Sequence, residues 1–242
     1  MIEIKEGAFV IADAHYSHLR PELLDFIKDI ESQKLQPTQL ILMGDIFDAL
    51  FGSIDYTLEK NAEIVQLLNN ISQNIEIIYL EGNHDFNLKN IFPKAKVFSM
   101  KMQPVICKYE DKTVCLAHGD FDGAFCYKLY SAIIRNPSVL LVLRKIDTLF
   151  KNFIIKKIDK YLTKKEDCKE FVGFREFIQK RLDDKAACDY FIEGHFHQNV
   201  SMEFANLKYI NLAAFACNQR YFIVKSLQDK VLLEENIFSK GI

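Results

Sequence analysis

The chain has 242 residues, of which 49% are apolar and 26% charged, with only nine glycines. That composition excludes a chain too short or too polar to bury a core, and it fits one large globular domain or a domain carrying an insertion. The net charge of −2 conceals an asymmetry: residues 123–182 hold 14 Lys or Arg against 6 Asp or Glu, leaving 17 against 27 elsewhere. An acidic body suits cations, whereas a basic segment suits an anionic partner such as phosphate, nucleic acid or a membrane surface.

Residues 1–7 alternate charge with isoleucine and lack a basic start before an apolar run, so no signal peptide is read and a cytoplasmic chain is expected. A strand-like run at 8–12 ends at Asp13, and after Pro21 the residues Leu23, Leu24, Phe26, Ile27 and Ile30 recur at helical spacing. The same order returns with a strand at 39–43, a loop from Gly44, a helix near 56–71 and a strand at 76–80. A strand at 113–117 runs into His118, another at 189–193 runs into Gly194, and the tail reads as short strands. The expected class is therefore α/β, with a β-rich end.

Between these lies the basic stretch of about 123–182, which lacks strand signals and reads as a helical insertion within a single domain spanning 1–242. Asn136 and Pro137 supply an N-cap and a first-turn proline. The apolar positions from Val139 to Ile158 then follow helical spacing, with lysines between them. Its longest apolar run, 139–143, is too short to span a bilayer. The six cysteines, Cys107, Cys115, Cys126, Cys168, Cys188 and Cys217, form no Cys-x-x-Cys pair and are expected to be reduced and structural.

Five polar clusters each follow a short apolar strand: Asp13-Ala14-His15, Gly44-Asp45-Ile46-Phe47-Asp48, Gly82-Asn83-His84-Asp85, His118-Gly119-Asp120 and Gly194-His195-Phe196-His197. They hold five of the six histidines, and carboxyl ends of strands are where α/β sheets place their sites. Imidazole, carboxylate and amide carbonyl are the ligands that divalent metals take. Alternate residues of an extended segment point to one side, so Asp13 with His15 and His195 with His197 can each grip one ion. His18 reads as a solvated loop residue. Arg20 and Asn87 are read equally well as phosphate contacts or as a salt bridge and a turn residue.

In set and order these clusters resemble the calcineurin-like metallophosphoesterases, over the chain from Asp13 to His197. The resemblance implies a four-layer α-β-β-α sandwich of two mixed sheets and a dinuclear centre. One ion would be held by Asp13, His15, Asp45 and His197 and the other by Asp45, Asn83, His118 and His195, with Asp45 as the bridge. It further implies that His84 faces substrate as a proton donor or cation, with Asp85 orienting its ring, and that Asp48 and Asp120 support the ligands. Two divalent ions are expected; Mn is the first choice, and Fe or Zn suit the same donors.

Within that family the size and spacing are most similar to the UDP-2,3-diacylglucosamine pyrophosphatases of lipid A synthesis, in which a helical insertion follows the His-Gly-Asp motif. Such enzymes yield UMP and 2,3-diacylglucosamine 1-phosphate. The resemblance implies a nucleotide-linked glycolipid as substrate and an insertion that receives its acyl chains. The basic amphipathic segment independently suits the inner membrane surface, on its cytoplasmic face, and no nucleic-acid partner is expected. A generic metallophosphodiesterase or nuclease stands as the alternative. Two departures are visible: His84 replaces the arginine found in the best-known branch, and Glu193 precedes the last glycine where an apolar residue is usual.

Overall fold

The computed structural model of the chain describes residues 1–122, 125–164, 168–182, 188–204, 206–226 and 232–239, with backbone alone at 125–128 and 137. Two six-stranded mixed sheets stack face to face. The first has the spatial order Leu233–Ile237, Arg220–Val224, Phe9–Ile11, Gln39–Leu42, Glu76–Leu80, Lys96–Phe98, and the second Ile2–Glu3, Val105–Tyr109, Lys112–Ala117, Tyr190–Glu193, Leu207–Asn211, Val200–Phe204.

Successive side chains of a strand face opposite ways, and here both ways are inside. Val10, Ile41, Ile78 and Leu80 meet Val114, Leu116 and Ile192 between the sheets. Their neighbours Phe9, Ile11, Leu40, Leu42, Ile77 and Tyr79 instead pack on the helices Glu22–Glu31 and Ala62–Ile71. Behind the second sheet, Cys115, Ala117 and Phe191 cover Phe174, Ile178 and Leu182 of the helix Phe174–Leu182. The layers are thus α-β-β-α, and burial on both faces is why the central strands read as unbroken apolar runs.

Two expected helices are each divided. The one near 56–71 breaks into Asp55–Lys60 and Ala62–Ile71 at Asn61, whose buried amide donates to Ala49 O and Thr57 O at 3.0 and 2.8 Å. In the basic segment, Asn136 accepts from Ser138 N and Val139 N and opens the helix Pro137–Leu149. Left-handed residues Lys151 and Asn152 then interrupt it before Phe153–Leu162 begins. The Asp147 carboxylate takes the Ile154 and Ile155 N–H groups at 2.7 and 3.1 Å, satisfying orphan donors of that second helix. The strand Lys96–Phe98 lies beyond the expected set, and Val105–Tyr109 forms where the run around Cys107 reads as strand-like.

The described residues of the insertion form helices alone: Phe125–Ile134, Pro137–Leu149, Phe153–Leu162 and Phe174–Leu182. Residues 123–124 and 165–167, which the expected segment includes, lie outside the described residues. No helix among those described is long and apolar enough to cross a membrane.

One cysteine expectation is corrected. Cys168 and Cys217 are joined by a disulfide with Cα atoms 5.8 Å apart, while Cys107, Cys115 and Cys188 are free and buried. The side chain of Cys126 lies outside the described residues. The partners are 49 positions apart, so no local spacing marks them as a pair.

Candidate metal centre

All five clusters meet at the carboxyl ends of the central strands. Three groups have ligand atoms within 4.8 Å of one another: Asp13, His15 and His197; His15, Asp45 and His84; and Asp45, His118 and His195. Asn83 joins the last, its Oδ1 lying 3.4 Å from His118 Nε2.

The backbone is bent to achieve this. Asp13, His15, Asp45, His195 and His197 all have φ between 45° and 62°. Such left-handed conformations cost on the order of 1–3 kcal/mol each for residues other than glycine, and they persist where a site requires them. Gly82 and Gly194 serve a different need, close approach: a methyl group on Gly82 would collide with the Asp45 carboxylate, and one on Gly194 with that of Asp13.

Each central carboxylate divides its labour. Asp13 Oδ2 accepts from His195 N at 2.9 Å, while Oδ1 lies 3.2 Å from His197 Nε2. Asp45 Oδ1 accepts from His84 N at 2.8 Å, and Oδ2 lies 3.4 Å from His118 Nε2 and 3.9 Å from His84 Nε2. One oxygen of each therefore latches a neighbouring motif by its backbone, and the other faces imidazole nitrogens.

The imidazole tautomers are set by carbonyl groups, which can only accept. His118 Nδ1 lies 3.0 Å from Met43 O and His84 Nδ1 lies 2.9 Å from Asp48 O, so both Nδ1 atoms carry protons. His118 Nε2 is thereby the atom turned toward Asp45 and Asn83, as a ligand requires; despite its burial, the facing Asp45 carboxylate holds the imidazole pKa well above its ordinary value.

Burial should raise the carboxylate pKa values, yet neighbouring imidazoles outweigh it and hold both below the ordinary value: His197 acts on Asp13, and His118 with His84 on Asp45, which lies well below. Burial lowers His195 to about 4, helped by the adjacent His118, so it is neutral at physiological pH. The donors also fit a cation on a second count. Neither ring nitrogen of buried His15 has a hydrogen-bond partner, and buried polar atoms left so are rare without an ion or water to satisfy them.

Asp85 differs from expectation. Its carboxylate does not orient the His84 ring; it accepts from Asp45 N and Gly82 N at 3.1 and 2.9 Å and from Ile46 N and the Tyr79 hydroxyl at 2.7 Å each. It fixes the Asp45 loop from beneath. Burial, then the Asp45 charge, pushes its pKa up to about 7. Asp48 Oδ1 lies 3.5 Å from His15 Nδ1 and 3.2 Å from Arg20, and Asp120 pairs with Arg135 at 3.1 Å. Asn87 donates to Arg135 O at 3.0 Å, and His18 is exposed.

Several supporting residues carry no signature in the sequence. Gln103 accepts from His118 N at 2.6 Å and donates to Glu81 O at 2.8 Å, joining two motif loops. Asn211 donates to Glu193 O and Gly194 O at 3.1 and 2.6 Å and so braces the last motif; its place at a strand end, like the other motif residues, is the one clue. Buried Glu193, the unusual residue before Gly194, meets Arg181 and the Tyr209 hydroxyl. Arg181 also donates to Asp122 at 2.8 Å and to Gly119 O at 2.9 Å.

A cavity of about 340 Å³ opens beside this centre. Asn83, His84, Ser131, Arg135, Arg144 and Asp147 are among its polar lining, while Phe51 and Phe86 from the body and Leu140, Leu143, Ile154 and Ile158 from the insertion make most of the wall apolar. The Asp147 carboxylate is taken up by the Ile154 and Ile155 N–H groups.

Residues 8–199 match the family model described as calcineurin-like phosphoesterase. A UDP-2,3-diacylglucosamine hydrolase of Psychromonas ingrahamii is 27% identical over 203 residues, 78% of this chain and 79% of the relative. One from Histophilus somni is 31% identical over 46% and 48% of the two chains. Among solved structures, an archaeal phosphodiesterase aligns over 96% of this chain and 99% of its own with a TM-score of 0.48 at 16% identity. Yfce, a phosphoesterase from E. coli, does so over the same shares with a TM-score of 0.47 at 12%.

Proposed function

The chain belongs to the calcineurin-like phosphoesterase family, and from that premise we propose that this metal-dependent phosphoesterase cleaves the diphosphate of UDP-2,3-diacylglucosamine, giving UMP and 2,3-diacylglucosamine 1-phosphate. The observation that carries the substrate is the apolar cavity that opens at Asn83 and His84. A soluble phosphodiester has no use for a wall of Leu, Ile and Phe, whereas acyl chains do. The relatives named for this reaction support the same reading.

In this reading Asp13, His15, Asp45 and His197 hold one divalent ion and Asp45, Asn83, His118 and His195 the other, with Mn the first choice. When bound, the pair supplies Lewis acidity and an activated water for in-line displacement. The chain does the rest. His84, with Nδ1 committed to Asp48 O, can deliver a proton only from Nε2, and only as imidazolium, to the departing phosphate. The cap excludes water from the cavity side and positions the acylated sugar.

The cap also offers a membrane-facing surface. Of the 21 large apolar side chains exposed among the described residues, 16 lie between Leu129 and Phe177, so the insertion leaves much apolar surface off the core, although its last helix buries Phe174, Ile178 and Leu182 there. Exposed apolar residues among lysines suit a peripheral place on the cytoplasmic face of the inner membrane.

The deciding assay offers purified, Mn-loaded protein UDP-2,3-diacylglucosamine and bis(p-nitrophenyl) phosphate side by side. A strong preference for the glycolipid, lost when the acyl chains are removed, is expected. Equal turnover of both, or indifference to the chains, leaves a general phosphodiesterase.

A further inference from the structure

Arg135 ends the first helical passage of the cap and turns back onto the metal-site loops. Its Nη2 donates to Gly82 O at 2.9 Å and to Asp120 Oδ2 at 3.1 Å, and its guanidinium carbon lies 5.2 Å from the centre of the Phe86 ring. Three contacts, two from residues 82–86 and one from Asp120, limit the freedom of the head group, and the side chain is only 11% exposed. Yet Nε and Nη1 meet no acceptor. Buried donors without partners are uncommon, and for a cation the cost of leaving them so is larger still.

The position of those spare donors matters. Arg135 belongs to the cavity wall together with Asn83 and His84, and much of the remaining wall is apolar. Gly82, whose carbonyl it grips, immediately precedes Asn83. A ligand that would satisfy two guanidinium donors in such a wall is an anion with several oxygens, and the planar fork of arginine matches phosphate.

We infer that Arg135 is a substrate-specificity residue: it receives the phosphate that carries the apolar part of the substrate, at the junction between the metal centre and the acyl cavity. The inference rests on the reading of a phosphate ester with an apolar tail, and it assigns recognition of that phosphate to the cap rather than to the metal ions alone. Nε and Nη1 now touch no solvent, so a phosphate oxygen reaches them through a small turn of the guanidinium about Nη2, the one nitrogen already held. The Asp120 carboxylate and the Gly82 carbonyl keep Nη2 anchored during that turn.

The test compares wild type, Arg135→Gln and Arg135→Lys, each Mn-loaded and assayed for metal content, with dodecyl phosphate as competitor of bis(p-nitrophenyl) phosphate hydrolysis. Dodecyl phosphate has a tail for the cavity and a phosphate for Arg135, so its inhibition constant is informative whatever the natural substrate. Arg135→Gln should raise that constant roughly 10- to 100-fold, the size of one charge-assisted contact. The Michaelis constant for the aryl diester should change several-fold less. Arg135→Lys, which keeps the charge and loses the fork, should recover a large part of the inhibition. If Gln sheds metal, the Lys variant carries the comparison.

Equal changes in both constants, with Lys no better than Gln, would overturn the proposal and leave Arg135 as a clamp on the Gly82 loop. A wild type that ignores UDP-2,3-diacylglucosamine while the dodecyl phosphate effect persists would defeat the glycolipid reading and keep the assignment of Arg135.

Discussion

The body and the cap use the same kinds of residue in opposite ways. In the body, Phe26, Tyr79 and Leu42 are fully enclosed between layers, and the charges inside are grouped around the metal site. In the cap, Phe150 and Phe153 are each 64% exposed, and much of what seats it on the body is polar: Lys60 with Asp159 at 2.6 Å, Arg135 with Asp120, and Arg181 with Glu193. The body is held by burial, as is the last cap helix through Phe174, Ile178 and Leu182. The cap residues from 129 to 161 instead leave many apolar side chains available to a ligand and are seated largely by polar locks. An insertion built this way can be reshaped for a different substrate with little cost to the core beneath it.

The comparison is sharpened first at the centre of the body. Asp45→Ala removes the carboxylate that faces both histidine groups, so metal content should drop from two ions to one or none and hydrolysis should fall by about 10³-fold or more. Metal analysis beside turnover checks this, and two ions retained with near-normal activity would take Asp45 out of the centre.

The locks come next. Arg181→Ala leaves Glu193 buried and unmatched by a cation, a change that costs roughly 3–5 kcal/mol where a buried pair is broken. Urea unfolding reads it directly. A loss of no more than about 1 kcal/mol, the value of a surface pair, would mean that this lock holds little.

A smaller effect is expected at His84, which stands between the two regions. His84→Ala should keep both ions while turnover falls by about 10²-fold, the low end for a lost acid-base group. If His84→Ala and His118→Ala shed metal equally, the division between a substrate-facing and a ligand histidine is wrong.

The smallest effect belongs to the cap surface, and its smallness is the point. Replacing Ile154 and Ile158, which line the cavity, with serine should shift unfolding free energy by roughly 1 kcal/mol or less, because they are 46% and 42% exposed. The Michaelis constant for a long-chain substrate should nonetheless rise about tenfold, as expected when apolar contact is lost on the ligand side. A large stability loss, or long and short chains treated alike, would show that the cap is ordinary core.

Much of the architecture was legible along the chain. Asp13, Asp45, Asn83, His118 and His195 could be picked out because each follows an apolar run whose length and period mark a buried strand, and parallel strands deliver their carboxyl ends to one edge. The Asn136 cap and the cap helix after it were legible for the same local reason: an amide that accepts from the N–H groups two and three residues on needs no distant partner.

What the tertiary structure alone decided are the pairings between segments. Asp85 looked like a partner for the adjacent His84, but the Asp45 loop, 40 residues earlier, presents backbone donors closer to its carboxylate. Gln103 on His118, Arg135 on Gly82, Arg181 on Glu193 and Cys168 on Cys217 are of the same kind. Residue type and periodicity report which face of an element is apolar and which ends are polar, since those follow from the local geometry of the chain. Which polar group meets which is settled only when the elements pack and every buried donor must find an acceptor among whatever the packing brings near.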